Sequence, residues 1–142
     1  MSHDHIAQLV HRYADAVVHR DEQQWASTWA PDAVWELGKG RRVEGREAIL
    51  QLWNGAMDGF SAVVQNALNG TTDLDEPAGT GTGRWYVLEH WARSDGSRGM
   101  LLAHYDDSYV RLDDQWHFAS RELVIHYAGP PDLSAPFLNA WS

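Results

Sequence analysis

The chain has 142 residues, 20 acidic against 11 basic side chains, a net charge of -9 and no cysteine. That length fits one domain spanning residues 1–142 around one core. The missing cysteines remove disulfides, thiolate nucleophiles and Cys-ligated metals, and the acidic balance argues against a nucleic-acid partner, which asks for a basic face.

Ile6, Leu9, Val10, Tyr13 and Val17 recur at helical spacing, so residues 4–20 read as an amphipathic helix with Ser2 or Asp4 as its cap. His11, Arg12 and Asp15 interrupt this first apolar run well short of the ~20 residues a membrane span needs. Nothing resembles a signal peptide, and the cytoplasm is the default location. Asp21 opens a shorter second helix that carries Trp25 and Trp29 on one face and stops at Pro31-Asp32. A short strand over residues 33–37 and a Gly38-Lys39-Gly40 turn follow. Gly45 precedes a third helix, residues 46–58, with Ile49, Leu52, Trp53 and Met57 facing inward.

From Ser61 onward the pattern is almost all strand, with breaks expected at Asn69-Gly70 and Asp75-Glu76-Pro77. Residues 82–120 hold three long β-type runs divided by Ser94-Asp95-Gly96 and Asp113-Asp114, an antiparallel meander. The runs mix aromatic and β-branched residues with Glu89, His90, His104 and Asp106, and Arg121 follows directly. A charge on the buried face of such a sheet needs a partner or a ligand. The tail from Gly129 holds three prolines and reads as an ordered coil over the body. Helices first and a bent antiparallel sheet afterwards make an α+β fold. Three N-terminal helices in the concavity of one curved antiparallel sheet form a cone with an apolar interior open at one end.

The order helix, helix, strand, helix, long meander resembles the SnoaL-like branch of the nuclear transport factor 2-like superfamily. The motifs that carry the resemblance are Tyr13, HRDEQQWASTWAPDAVW (residues 19–35), EGREAI (residues 44–49) and GTGRWYVLE (residues 81–89). YDDSYVRLDDQWHFASRE (residues 105–122) and the tail YAGPPDLSAPF (residues 127–137) complete it, so it covers almost the whole chain. The resemblance implies the cone fold. Its relatives include scytalone dehydratase, bile-acid dehydratase, hexachlorocyclohexane dehydrochlorinase, ketosteroid isomerase, polyketide cyclases and oxygenase small subunits, so fold does not decide reaction.

Tyr13 shares a helix face with Leu9, Val10 and Val17 and points into the cone. It resembles the catalytic tyrosine of the isomerase and the bile-acid dehydratase, where a buried phenol donates to a substrate oxygen. The alternative is a core tyrosine bonded to a neighbour. Strand alternation puts Trp85, Val87, Glu89 and Trp91 on one face. Glu89 falls where the bile-acid dehydratase carries an acid, and desolvation between two indoles would raise its pKa and suit it to acid/base work. Its alternative is an ion pair with Arg84, Arg93 or Arg121. Gln65, Trp53, Trp85, Trp91, Tyr105 and Arg121 are the candidate substrate contacts, Arg121 having also the plainer role of a buried ion pair with Glu89 or Asp107.

Several positions depart from the relatives. The histidine of the dehydratase dyad is Gln65 here, and its aspartate is Val18. Asp21 resembles a helix-boundary residue and caps the second helix. The isomerase base position holds Leu37, with Glu36 on the opposite face. Parity turns His90 and His104 outward, although a bulge would bring His104 into the cavity. His117 and His126 also differ in parity, so at most one shares the face of Arg121.

No metal site is expected. His3-Asp4-His5 lies at a terminus prone to fray, and the other histidines lack ligand spacing. The Gly79-Thr80-Gly81-Thr82-Gly83 run leads into a strand, not a helix, and reads as a flexible turn. Three functions fit. The first is a cofactor-independent enzyme that moves a proton on a polycyclic or aromatic small molecule such as a steroid or polyketide. The others are a non-catalytic binder of an apolar small molecule and an assembly subunit of an oxygenase. Tyr86, Leu88 and His90 on the outer face point to a homodimer or homotrimer.

Overall fold

The computed structural model describes residues 2–141, without the side chain of Ser2. Helix α1 (Ser2–His19) is followed by α2 (Glu22–Ser27), strands β1 (Trp29–Glu36) and β2 (Arg42–Glu44), and helix α3 (Arg46–Met57). Four long strands complete the chain: β3 (Phe60–Asp75), β4 (Thr80–Arg93), β5 (Arg98–Leu112) and β6 (Gln115–Gly129). They form one six-stranded sheet in the order β2-β1-β6-β5-β4-β3, curved but unclosed, with the helices in its concavity. The fold is therefore α+β and cone-shaped, as the sequence implies. One pairing departs from an all-antiparallel sheet: β1 runs parallel to β6.

The helices follow their expected faces. Ile6, Leu9, Val10, Tyr13 and Val17 of α1 are all buried. Ser2 lies outside the described side chains, and Asp4 sits within the first turn of α1. The carboxylate of Asp21 accepts the Gln24 N–H at 3.1 Å and caps α2, satisfying one of its free amides. This helix ends earlier than expected. Thr28 closes it, its hydroxyl bonding the Trp25 carbonyl at 2.6 Å, and Trp29 belongs to β1. The cause is pairing: Trp29 registers with Phe118, and the Phe118 N–H donates to the Thr28 carbonyl at 2.8 Å. Pro31 then falls where the β1–β6 register shifts, a place that loses no ladder bond. In α3, Ile49, Trp53 and Met57 are buried as expected, but Leu52 is 40 % exposed. The three-residue β2, with Val43 alone turned to the core, is too short for periodicity to register and is seen only in the structure.

The meander turns fall where expected, and the Asn69-Gly70 break does not. Strand β3 runs through it with a register shift between Ala67 and Gly70. A Cβ at Gly70 would lie 2.3 Å from the Trp85 ring, so glycine here lets the indole lie against the strand. The expected flexible turn at Gly79–Gly83 is likewise mostly strand, since β4 begins at Thr80. Gly83 has the Tyr109 hydroxyl where its Cβ would be, 2.5 Å away, which seats that phenol against β4. The terminal His3-Asp4-His5 triplet is helical, and His3 stacks on Trp85 and bonds Thr72 Oγ1 at 2.9 Å. The proline-rich tail is held to β6 by the Tyr127 hydroxyl on the Pro130 carbonyl, 2.6 Å, and by Asn139 on the Ile125 carbonyl, 2.7 Å.

Candidate functional site

Cross-strand register assembles the concave face. Gln65 of β3 stands opposite Glu89 of β4, and Glu89 opposite Leu101 of β5. Two rows deeper, past Val87 and Ala103, Trp85 faces Tyr105, which faces Leu123 of β6. Next comes Asp107 opposite Arg121. Tyr13 reaches this surface from α1. The rows sort by depth. Tyr13, Tyr105 and Arg121 are almost wholly buried, whereas Glu89, Trp91, Leu101 and Leu123 are only partly so and line the open end.

Burial dominates the electrostatics. The Gln65 amide donates from Nε2 to Glu89 Oε1 at 3.1 Å. Desolvation nevertheless raises the Glu89 pKa, against the lowering effect of that bond. Burial likewise raises the phenol of Tyr13, against the pull of the Arg121 guanidinium, and Tyr105 well above the usual value. Both phenols therefore stay protonated at neutral pH and act as donors. Their rings meet edge to face at 6.1 Å.

Arg121 holds the floor. It donates from Nε and Nη2 to Asp107 at 2.7 and 3.1 Å, both side chains sealed from water. Asp107 also accepts the Tyr109 hydroxyl at 2.9 Å. The guanidinium lies over the rings of Tyr105, Phe118 and Tyr13 at 3.9, 4.0 and 4.6 Å. Of the two plainer partners considered for Arg121, the structure selects Asp107. Arg121 Nη1 and Gln65 Oε1 are buried without a hydrogen-bond partner.

The sequence-chosen residues divide into two groups. Tyr13, Glu89, Gln65, Tyr105 and Arg121 share the concave face. Trp53 stacks flat on Trp25 at 4.5 Å within the core, behind Tyr13. Trp85 is taken up by His3 and His11, and Trp91 by Phe60 and the Arg93 guanidinium, 4.6 Å from its ring. None of the ion pairs considered for Glu89 forms among the described residues: Arg84 bonds Asp106 at 2.7 Å, and Arg93 lies over its two rings. Val18 is exposed on α1, Leu37 packs against the core, and Glu36 pairs with Arg42. The five clefts described, of about 270 to 460 Å³, are lined by other residues than Tyr13, Gln65 and Glu89.

Outward-facing histidines follow parity. His104 packs with Tyr86 and His126 on the convex face, whereas a register shift beside Ser120 puts Trp116 and Phe118 in the core with Arg121 and takes His117, which bonds the Gln115 carbonyl, off its simple alternation. The pairing of the first two is not legible in the sequence. His104 Nδ1 lies 2.8 Å from His126 Nε2, and His104 Nε2 lies 3.3 Å from Asp106. Burial first and His104 second lower the His126 pKa.

Comparison with known proteins agrees with this architecture. The model of the SnoaL-like domain family matches residues 2–122, and the chain belongs to that family. A search of curated proteins finds no match. Among solved structures, a scytalone dehydratase-like protein of Novosphingobium aromaticivorans is 19% identical, with a TM-score of 0.86, covering 99% of this chain and 95% of its own. LinA is 25% identical, with a TM-score of 0.83 and coverage of 98% and 94%. Hexachlorocyclohexane dehydrochlorinase LinA type 3 of Novosphingobium barchaimii is 22% identical, with a TM-score of 0.82 and the same coverages. Among the described residues, no helix is long and apolar enough to cross a membrane.

Proposed function

We propose that this SnoaL-like chain is a cofactor-independent enzyme that moves a proton on a polycyclic or aromatic small molecule, with elimination or isomerisation as the outcome. Glu89 is the acid/base. It removes a proton from carbon beside a substrate carbonyl, and the electron pair moves onto the carbonyl oxygen. The Tyr13 phenol, with Tyr105 beside it, donates to the developing oxyanion. Collapse of the enolate then expels a leaving group from the next carbon, or Glu89 returns its proton to another carbon. The site residues need no bound metal for these steps.

The observation that carries this reading is Glu89 itself: a carboxyl at the open end of an aromatic cone, its pKa raised by burial, on the same concave face as two protonated phenols. A base with a pKa shifted toward the working pH is the more effective one. The similar LinA proteins and the scytalone dehydratase-like protein support a small-molecule chemistry of this class. A second reading, ligand binding without turnover, draws on Gln65, which cannot carry a proton, and on the Asp107 clasp that occupies Arg121. Self-association as a dimer or trimer belongs to the same proposal, through the convex face where Val64 and Tyr86 are exposed.

Turnover of a panel of cyclic hydroxyketones separates the two. Glu89→Gln and Tyr13→Phe, each still folded, are expected to lower kcat by about 100-fold or more. Unchanged turnover in both variants removes the catalytic reading and leaves the binding one.

A further inference from the structure

Gln65 is 7 % exposed, and its amide has two ends with different fates. Nε2 donates to Glu89, whereas Oε1 is buried without a partner. The orientation follows from chemistry. An ionised carboxylate only accepts, so the amide must turn its N–H toward Glu89 and leave its carbonyl pointing away. A buried carbonyl without a donor is held at a cost in free energy. Among the described residues, the other buried side-chain polar atoms without partners are Arg121 Nη1 and the indole N–H of Trp25, Trp29, Trp35 and Trp85, all donors. Gln65 Oε1 is the lone acceptor in that group, and it sits beside the proposed base.

We propose that Gln65 Oε1 is a subsite for a hydrogen-bond donor on the ligand, so that this chain takes hydroxylated aromatic or polycyclic molecules and discriminates against halogenated ones of the same shape. The inference deepens the proposed function by naming a substrate class, and it rests on the concave face being the ligand site. A hydroxyl satisfies the amide carbonyl. A carbon-bound halogen has no hydrogen to give and leaves that carbonyl orphaned while excluding water from it. Sites built around a polar partner reject analogues that lack it, because the protein group is then buried unpaired. The hexachlorocyclohexane dehydrochlorinase among the structural neighbours has a halogenated molecule in its name. Gln65 sets this chain apart from such a ligand.

Equilibrium dialysis with three matched probes tests the subsite without needing turnover: 2-naphthol, 2-chloronaphthalene and naphthalene, at about pH 8, on the alkaline side of the carboxyl titration and where the phenol is still un-ionised. The wild-type protein is expected to bind 2-naphthol about tenfold more tightly than 2-chloronaphthalene. Gln65→Met, similar in shape but without the acceptor, is expected to reduce that preference to less than about twofold while keeping naphthalene affinity. Gln65→Leu serves as a second variant if Gln65→Met unfolds. Equal binding of the two probes by wild type, a preference that survives both variants, or no binding of any probe each overturns the subsite. Turnover is read separately: a wild-type protein that shows no preference, while Glu89→Gln and Tyr13→Phe lose turnover, condemns the subsite alone, and turnover unchanged in those two variants, with the wild-type preference present, condemns the catalytic reading alone.

Discussion

Asp107 grips Arg121 through two hydrogen bonds, 2.7 Å to Nε and 3.1 Å to Nη2, and neither side chain touches water. The clasp fixes the guanidinium against the rings of Tyr13 and Tyr105, so the placement of both phenols depends on it. Removing one partner of such a pair leaves a lone buried charge, which costs about 3–5 kcal/mol, whereas replacing both with apolar groups is close to neutral. Asp107→Leu and Arg121→Met are therefore each expected to lower stability to urea by that amount, and the double variant to recover most of it. A double variant as unstable as the sum of the singles would show that the ion pair is not the source of the loss.

Glu89 has the opposite relation to stability. Burial raises its pKa, so the folded chain holds this proton more tightly than the unfolded chain does. Stability therefore falls as pH rises from the ordinary glutamate value, about 4.3, through the raised folded value, and stays lower above it. Glu89→Gln removes the buried charge and keeps a neighbour for Gln65. The variant is expected to match wild type near pH 4 and to be the more stable of the two at neutral pH. Urea unfolding at the two pH values checks this. A variant less stable at neutral pH would show that the carboxylate is well satisfied and not held at a cost for chemistry.

Periodicity made most of the fold legible, and pairing decided the remainder. Tyr13 and Val17 announce the buried face of α1, and parity along β4 places Glu89 and Trp85 on the concave side. Trp29 misleads because its spacing from Trp25 suits a helix, while its partner Phe118 lies far along the chain and draws it into β1. Asn69-Gly70 reads locally as a turn, but the glycine answers to the Trp85 ring across the sheet. In the site, Gln65 and Glu89 were recognisable separately, and the 3.1 Å bond between them follows only from register. Trp53, Trp85 and Trp91 show the limit of a composition argument: an indole on a plausible face is as readily claimed by Trp25, His3 or Arg93 as by a ligand.

The amide of Gln65 also reports the protonation of Glu89. When Glu89 is ionised, Nε2 is held by the carboxylate and Oε1 is left without a partner. When Glu89 is protonated, its O–H becomes a donor, the amide turns to accept it, and Nε2 takes the place of Oε1. The site then prefers an acceptor. The phenols of Tyr13 and Tyr105, the other titratable groups that act on Glu89 or feel it, remain protonated throughout this range because burial raises both. The ratio of 2-naphthol affinity to that of 2-methoxynaphthalene, which only accepts, is expected to rise severalfold as pH climbs through the Glu89 pKa. The rise should be absent in Glu89→Gln. A ratio independent of pH in the wild-type protein would mean that the amide does not turn, and that proton uptake by Glu89 leaves the polarity of the subsite unchanged.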